Sequence, residues 1–222
     1  FWRGLDLKSI EQYLSAASVP PKSPALADLL QRVLKSSATE PRGAQAPNHW
    51  PALRLEAFYR SGYVAAMESV LQSSPGDPLL TMYRIRKDLA LGRTADVCAT
   101  TTSLVQRRSE LPERMRGEMH LLSGYCAAVD GDKAGAELAA ALAREAGVDA
   151  PLALGALEAI GGDGKTGMPA PKRIHVLDFR LLETMGPVEP AQILERAEPA
   201  LLTALAVSAR EPRLRVAAAE LA

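Results

Sequence analysis

Apolar positions along the chain recur with a period near 3.6 rather than in alternation. In 24–34 the residues Leu26, Leu29, Leu30, Val33 and Leu34 fall on one helical stripe. In 78–91 the set Leu79, Met82, Tyr83, Ile85, Leu89 and Leu91 leaves Arg84, Lys87 and Asp88 largely on another face. In 131–146 Ala134, Leu138, Ala141, Leu142 and Ala146 form a third stripe, opposite Glu137, Arg144 and Glu145. No segment alternates cleanly, and Asp-Gly pairs such as Asp130-Gly131 stand between helical stretches instead of joining two strands. The most strand-like run, Arg173 to Leu177, also fits a helix face continuing to Glu183 and is read as helix. The pattern predicts an all-α protein.

Prolines and glycines place the ends of these helices. Pro24, Pro51, Pro78, Pro112, Pro151, Pro171, Pro190, Pro199 and Pro212 each open a periodic stretch, where a missing N–H costs nothing and a fixed φ suits the first turn. Ser23 and Asp77 precede two of them as expected N-caps. Gly62, Gly92, Gly131 and Gly147 follow periodic stretches, as expected where a chain leaves a helix through the left-handed region. Gly4 to Pro24, Gly92 to Pro112 and Gly131 to Pro151 are each 20 residues apart. Helix pairs restarted every 30 to 40 residues or so are the grammar of tetratricopeptide-like solenoids, although the Trp and Tyr of the full tetratricopeptide signature do not stand at their fixed offsets.

The expected organisation follows. Residues 1–37 form an N-terminal helix pair, 38–50 a polar linker, and 51–160 a short tetratricopeptide-like array. A Gly/Pro-rich linker, 161–170, leads to a C-terminal helical subdomain, 171–222.

Charge and composition exclude more than they assign. Twenty-six Lys and Arg balance 26 Asp and Glu, so the chain lacks the positive excess on which nucleic-acid binding depends. Aromatic residues are 5%, too few for stacking platforms. The apolar runs are short and broken by charge, so no membrane span is expected. The chain starts at Phe1 without a signal-like region and reads as a piece of a longer protein.

Candidate chemistry is sparse. Residues 159–166, Ala-Ile-Gly-Gly-Asp-Gly-Lys-Thr, match a relaxed phosphate-binding loop, but such a loop needs a strand before it and a helix after it. Here a helical stretch precedes it, and Gly167, Pro169 and Pro171 follow. His49, His120 and His175 are too scattered for a metal site, and two cysteines without a close spacing do not make one. Glu56, Glu68 and Glu118 are ordinary helix-surface carboxylates at this level. No cofactor and no catalytic residue are expected.

Two features do carry a reading. Cys98 and Cys126 are equidistant from Pro112, the turn expected between helices 93–108 and 113–129. In an antiparallel hairpin such residues lie side by side, within the reach of a disulfide, and an oxidising compartment, the bacterial periplasm, is then implied, with the cytoplasm as the alternative. Arg84, Arg86 and Lys87, with Tyr83 beside them, are expected to form an exposed positive stripe and are the candidate surface for a protein partner.

The opening FWRGLDLKSIEQYL, the Cys98 and Gly124-Tyr125-Cys126 helices, the following GDKAGAELAAAL and the closing AEPALLTALA and RLRVAAAELA resemble a group of alphaproteobacterial Ala-rich helical proteins of unassigned function, some labelled antifreeze. The resemblance implies a bacterial origin and an envelope location, and brings no catalytic residue. The expected function is a non-catalytic protein–protein interaction or scaffold module of a bacterial envelope assembly. The alternative is a helical accessory domain of a larger peptidoglycan-acting enzyme.

Overall fold

A computed structural model of the protein describes residues 4–17, 19–36, 40–43, 48–73, 76–162 and 172–222. Among the described residues all regular structure is helical. The order is α1 (Leu7–Ala16), α2 (Pro24–Lys35), α3 (His49–Arg60), a 3-10 turn (Val64–Met67) running into α4 (Glu68–Leu71), α5 (Pro78–Ala90), α6 (Thr94–Val105), α7 (Glu113–Val129), α8 (Lys133–Glu145) and α9 (Pro151–Gly161). There follow α10 (Val176–Met185), α11 (Pro190–Leu194), α12 (Pro199–Ser208) and α13 (Pro212–Leu221).

The punctuation read from the sequence corresponds to these ends. Pro24, Pro78, Pro151, Pro190, Pro199 and Pro212 are first residues of their helices, and Pro112 directly precedes α7. Pro51 sits instead in the third position of α3, and Pro171 lies outside the described residues. Asp77 caps α5 by accepting from the Leu80 N–H at 3.0 Å, whereas Ser23 makes no such bond on α2.

Helices α3, α5, α7 and α8 share one ending. The N–H of the third residue past the helix returns to a carbonyl five residues back: Tyr63 to Phe58 at 2.9 Å, Arg93 to Asp88 at 2.9 Å, Asp132 to Ala127 at 2.8 Å and Val148 to Ala143 at 3.0 Å. Gly62, Gly92, Gly131 and Gly147 occupy the intervening position with φ of 79°, 73°, 75° and 70°. The turns at 62, 92 and 131 pair α3 with the 3-10 turn and α4, α5 with α6, and α7 with α8, so the first members of the pairs are α3, α5 and α7. Helix α9 follows α8 and packs on it and on α7.

The C-terminal helices do not stand apart. Helix α10 packs on α9, α7 and α5, and α12 packs on α5, α3 and α13. One hydrophobic core therefore runs from Leu55 and Phe58 through Ile85 and Leu122 to Phe179, Leu201 and Leu205. Two glycine turns make the close approach possible. A Cβ on Gly62 would meet the Pro199 carbonyl oxygen at 2.9 Å, and one on Gly92 would meet Ser208 Cβ at 2.8 Å. Thr203 Oγ1 donates to the Gly62 carbonyl at 2.8 Å. The buried Arg180 guanidinium donates to the carbonyls of Leu89 at 3.0 Å and Ala90 at 3.2 Å, which ends α5 with a positive charge where the helix dipole favours one.

The N-terminal helices pack on α3 around a small cluster of Leu7, Ile10 and Trp50. The helix expected from Arg173 begins later, at Val176. Ile174 is extended and bridges Ala197, its N–H donating to the Arg196 carbonyl at 2.9 Å and its carbonyl accepting from Glu198 at 3.2 Å. This bridge holds the start of α10 against the start of α12.

Candidate functional site

Helix α5 is covered by α3, α4, α6, α10 and α12, and this overturns the expected positive stripe as a solvated face. Tyr83 is only 5% exposed and Lys87 is buried. A helix enclosed on most sides cannot leave its cations in water, and a cation taken out of water requires a counter-charge. Lys87 Nζ meets Glu68, with Asp88 at 3.4 Å. Arg84 is half-buried and donates to the Leu71 carbonyl at 3.2 Å.

Arg86 is the centre of the most elaborate of these pairings. Its Nε donates to Glu118 Oε1 at 2.8 Å and a terminal nitrogen to Glu118 Oε2, a two-pronged pair in the plane of the guanidinium. Its other terminal nitrogen donates to Glu56 Oε2 at 3.1 Å, an oxygen that also accepts from the Tyr83 hydroxyl at 3.2 Å. The guanidinium stands over the rings of Tyr83 at 5.2 Å and Tyr59 at 5.9 Å. Burial opposes the charge on Arg86, but Glu118 and then Glu56 outweigh it and push its pKa well up. The Tyr83 and Tyr59 hydroxyls are held neutral first by burial and then by the nearby carboxylates.

This network floors an open cleft of about 570 Å³. Its walls come from α3, α5, α7, the α8–α9 loop, the start of α10, and Glu198 just before α12. Leu89, Leu121, Leu122, Val148 and Leu177 make it partly apolar. Its carboxylates are Glu56, Glu118, Asp149, Asp178 and Glu198, against Arg60, Arg86, Arg114 and His175. The cleft is the part of the first-helix surface that α10 and α12 leave open.

On its far wall His175 Nδ1 meets Glu198 Oε2 at 2.7 Å, an arrangement fixed by the Ile174–Ala197 bridge. The other Glu198 oxygen is buried without a hydrogen bond. The His175 N–H donates to Asp178 Oδ2 at 2.9 Å, and burial raises the Asp178 pKa despite that bond. The hydrogen bond to Glu198 raises the pKa of His175. A raised histidine pKa stabilises the fold below the unfolded value of about 6.5, and the contribution is lost as pH rises through the folded value. Urea titrations are expected to show a modest fall in stability above about pH 6.5. The fall should be missing in His175→Gln; an identical pH profile for wild type and variant would contradict the pairing.

The two cysteines stand as the hairpin argument expects. Helices α6 and α7 pack together, and Cys98 and Cys126 are bonded in a disulfide with Cα atoms 5.5 Å apart. The phosphate-loop match begins inside α9, which runs to Gly161, and so lacks the strand that such a loop follows; residues 163–166 lie outside the described residues. Among the described residues no three His, Cys, Asp or Glu side chains are placed to hold a metal ion, and no helix is long and apolar enough to cross a membrane.

Sequence reasoning named Glu56, Glu118 and His175 but gave them no role, and it passed over Glu198 and Arg180. One signal was available: Glu56 and Arg86 each stand six residues before the glycine that ends their helix, and Glu118 stands thirteen before its own. Aligned on those glycines, the three fall on the same side of their own helices, because seven residues are about two turns. No protein-family model matches the chain, and neither a curated protein nor a solved structure matches it.

Proposed function

We propose that this chain is a non-catalytic protein-interaction module, a short tetratricopeptide-like array that receives a segment of a partner protein in the Arg86 cleft. The observation that carries this reading is the open cleft on the first-helix surface, floored by two carboxylates for one guanidinium. Aliphatic walls suit the stem of a long side chain, and the surplus carboxylate charge suits a cationic end. The partner chemistry is thus the opposite of the acidic segment that a positive stripe would have recruited. Binding fits the site better than catalysis, because its ionised groups are engaged with one another: Arg86 with Glu56 and Glu118, and His175 with Glu198. The resemblance to alphaproteobacterial Ala-rich proteins and the cysteine pair support a place in a periplasmic envelope assembly.

Short peptides with a single central Lys, Glu or Leu, titrated by fluorescence anisotropy, test the cleft. Lys-centred peptides are expected to bind most tightly, and roughly tenfold less tightly after Asp149→Lys on the rim. Equal binding of all three peptides, or no effect of Asp149→Lys, would contradict the reading.

A further inference from the structure

The second helices of the pairs carry a different surface, and α8 is built inside-out. Its buried residues are all alanine, at 136, 139, 140 and 143, while Leu138 is 60% and Leu142 37% exposed. The alanines have a reason. A Cβ on Gly124 of α7 would meet Ala139 Cβ at 2.9 Å, so the two helices approach too closely for larger side chains between them. That leaves two leucines one turn apart as an outward ridge, with Glu145 three residues further along the same face.

Beside the ridge lies a groove of about 220 Å³ over α7, between α8 and the chain leaving α6. Val105 and Met119 give it apolar walls on one side and the ridge leucines Leu138 and Leu142 form the other, with Arg108 and His120 also lining it. The Cys98–Cys126 bridge ties α6 to α7 one turn beyond Ser123, which also lines the groove. Arg108 and His120 line the groove together, and Glu145 follows Leu142 on the same face of α8. Among the described residues neither Arg108 nor Glu145 forms an ion pair within the chain, and each is exposed.

One face thus carries a ridge and a groove, an unpaired cation and an unpaired anion. A surface complementary to itself is what an isologous two-fold contact requires. We propose that this face is a homodimer interface, in which the Leu138–Leu142 ridge of each copy fills the groove of the other and Arg108 of each copy faces Glu145 of its partner across a two-fold axis beside His120. None of these residues lines the Arg86 cleft, so the dimer leaves both clefts open and makes the module bivalent.

Sedimentation equilibrium from low to high micromolar concentration tests this. The mass is expected to rise from 23.7 kDa to twice that value, and Leu138→Asp is expected to hold it at 23.7 kDa with an unchanged circular dichroism spectrum. Arg108→Glu should weaken association roughly tenfold, because two symmetric pairs become repulsive. Adding Glu145→Arg to the same chain should restore it. A wild-type chain that stays at 23.7 kDa throughout would overturn the proposal. So would a Leu138→Asp variant that associates like the wild type, or a double exchange without recovery.

Discussion

Loss of the Cys98–Cys126 disulfide is expected to lower the unfolding free energy by roughly 3 to 4 kcal/mol. The bridge spans 28 positions of sequence, and closing a loop of that length removes conformational entropy from the unfolded chain by about that amount. The native state has little with which to compensate. Of the residues of α6 only Val97, Thr101 and Leu104 are buried, and the Thr101 hydroxyl is buried without a hydrogen bond. A helix with so few apolar anchors depends on its covalent tie to α7. Urea unfolding of wild type and of the Cys98→Ser/Cys126→Ser double variant measures the difference. Hydrogen exchange should localise the loss of protection to α6 and the adjoining part of α7. A change below about 1 kcal/mol would mean that packing alone holds α6 in place.

Arg86→Met is expected to cost about 3 to 5 kcal/mol, as large as any single substitution in the molecule. Methionine replaces much of the volume but leaves Glu56 and Glu118 facing each other without the guanidinium between them, and breaking one partner out of a buried ion pair costs that much. Arg86→Lys should fall between wild type and Met. It keeps the charge but has no planar fork to hold both Glu118 oxygens, and it loses the stacking on Tyr59 and Tyr83. The decisive comparison is the double variant Arg86→Met/Glu118→Gln. It removes one of the orphaned charges and is expected to be more stable than Arg86→Met alone, a coupling that a simple packing role for Arg86 would not produce. Equal stabilities in urea would contradict the network.

What was legible in the sequence is what neighbours along the chain decide. Proline at a first turn, Asp77 before α5 and a glycine two residues past each of four helices are local requirements, and the structure follows them. The cysteine pairing was legible because a hairpin converts a sequence midpoint, Pro112, into a spatial one. The fate of α5 was not. An amphipathic pattern tells which side of a helix is apolar, but not that a segment about ninety residues later returns to cover it. Arg180 meeting the carbonyls of Leu89 and Ala90 is that return, while the cations are enclosed from other sides, Lys87 against Glu68 of α4 and Arg86 between Glu56 of α3 and Glu118 of α7. The His175–Glu198 pair escaped for a related reason. Ile174 has helical apolar spacing, yet its backbone hydrogen bonds go to Arg196 and Glu198 rather than along a helix. A tertiary bridge outcompeted a local preference.

The proposed function places partner binding in the Arg86 cleft. Replacing the exposed rim residue Arg114 with a photoreactive phenylalanine analogue, and irradiating the protein in extracts of its source cells, tests this most directly. A discrete adduct is expected from this position, and excess Lys-centred peptide should suppress it. No such adduct is expected from the same analogue at exposed Thr102 on α6, away from the cleft. No adduct at position 114, or one that the peptide leaves untouched, would contradict the proposed function.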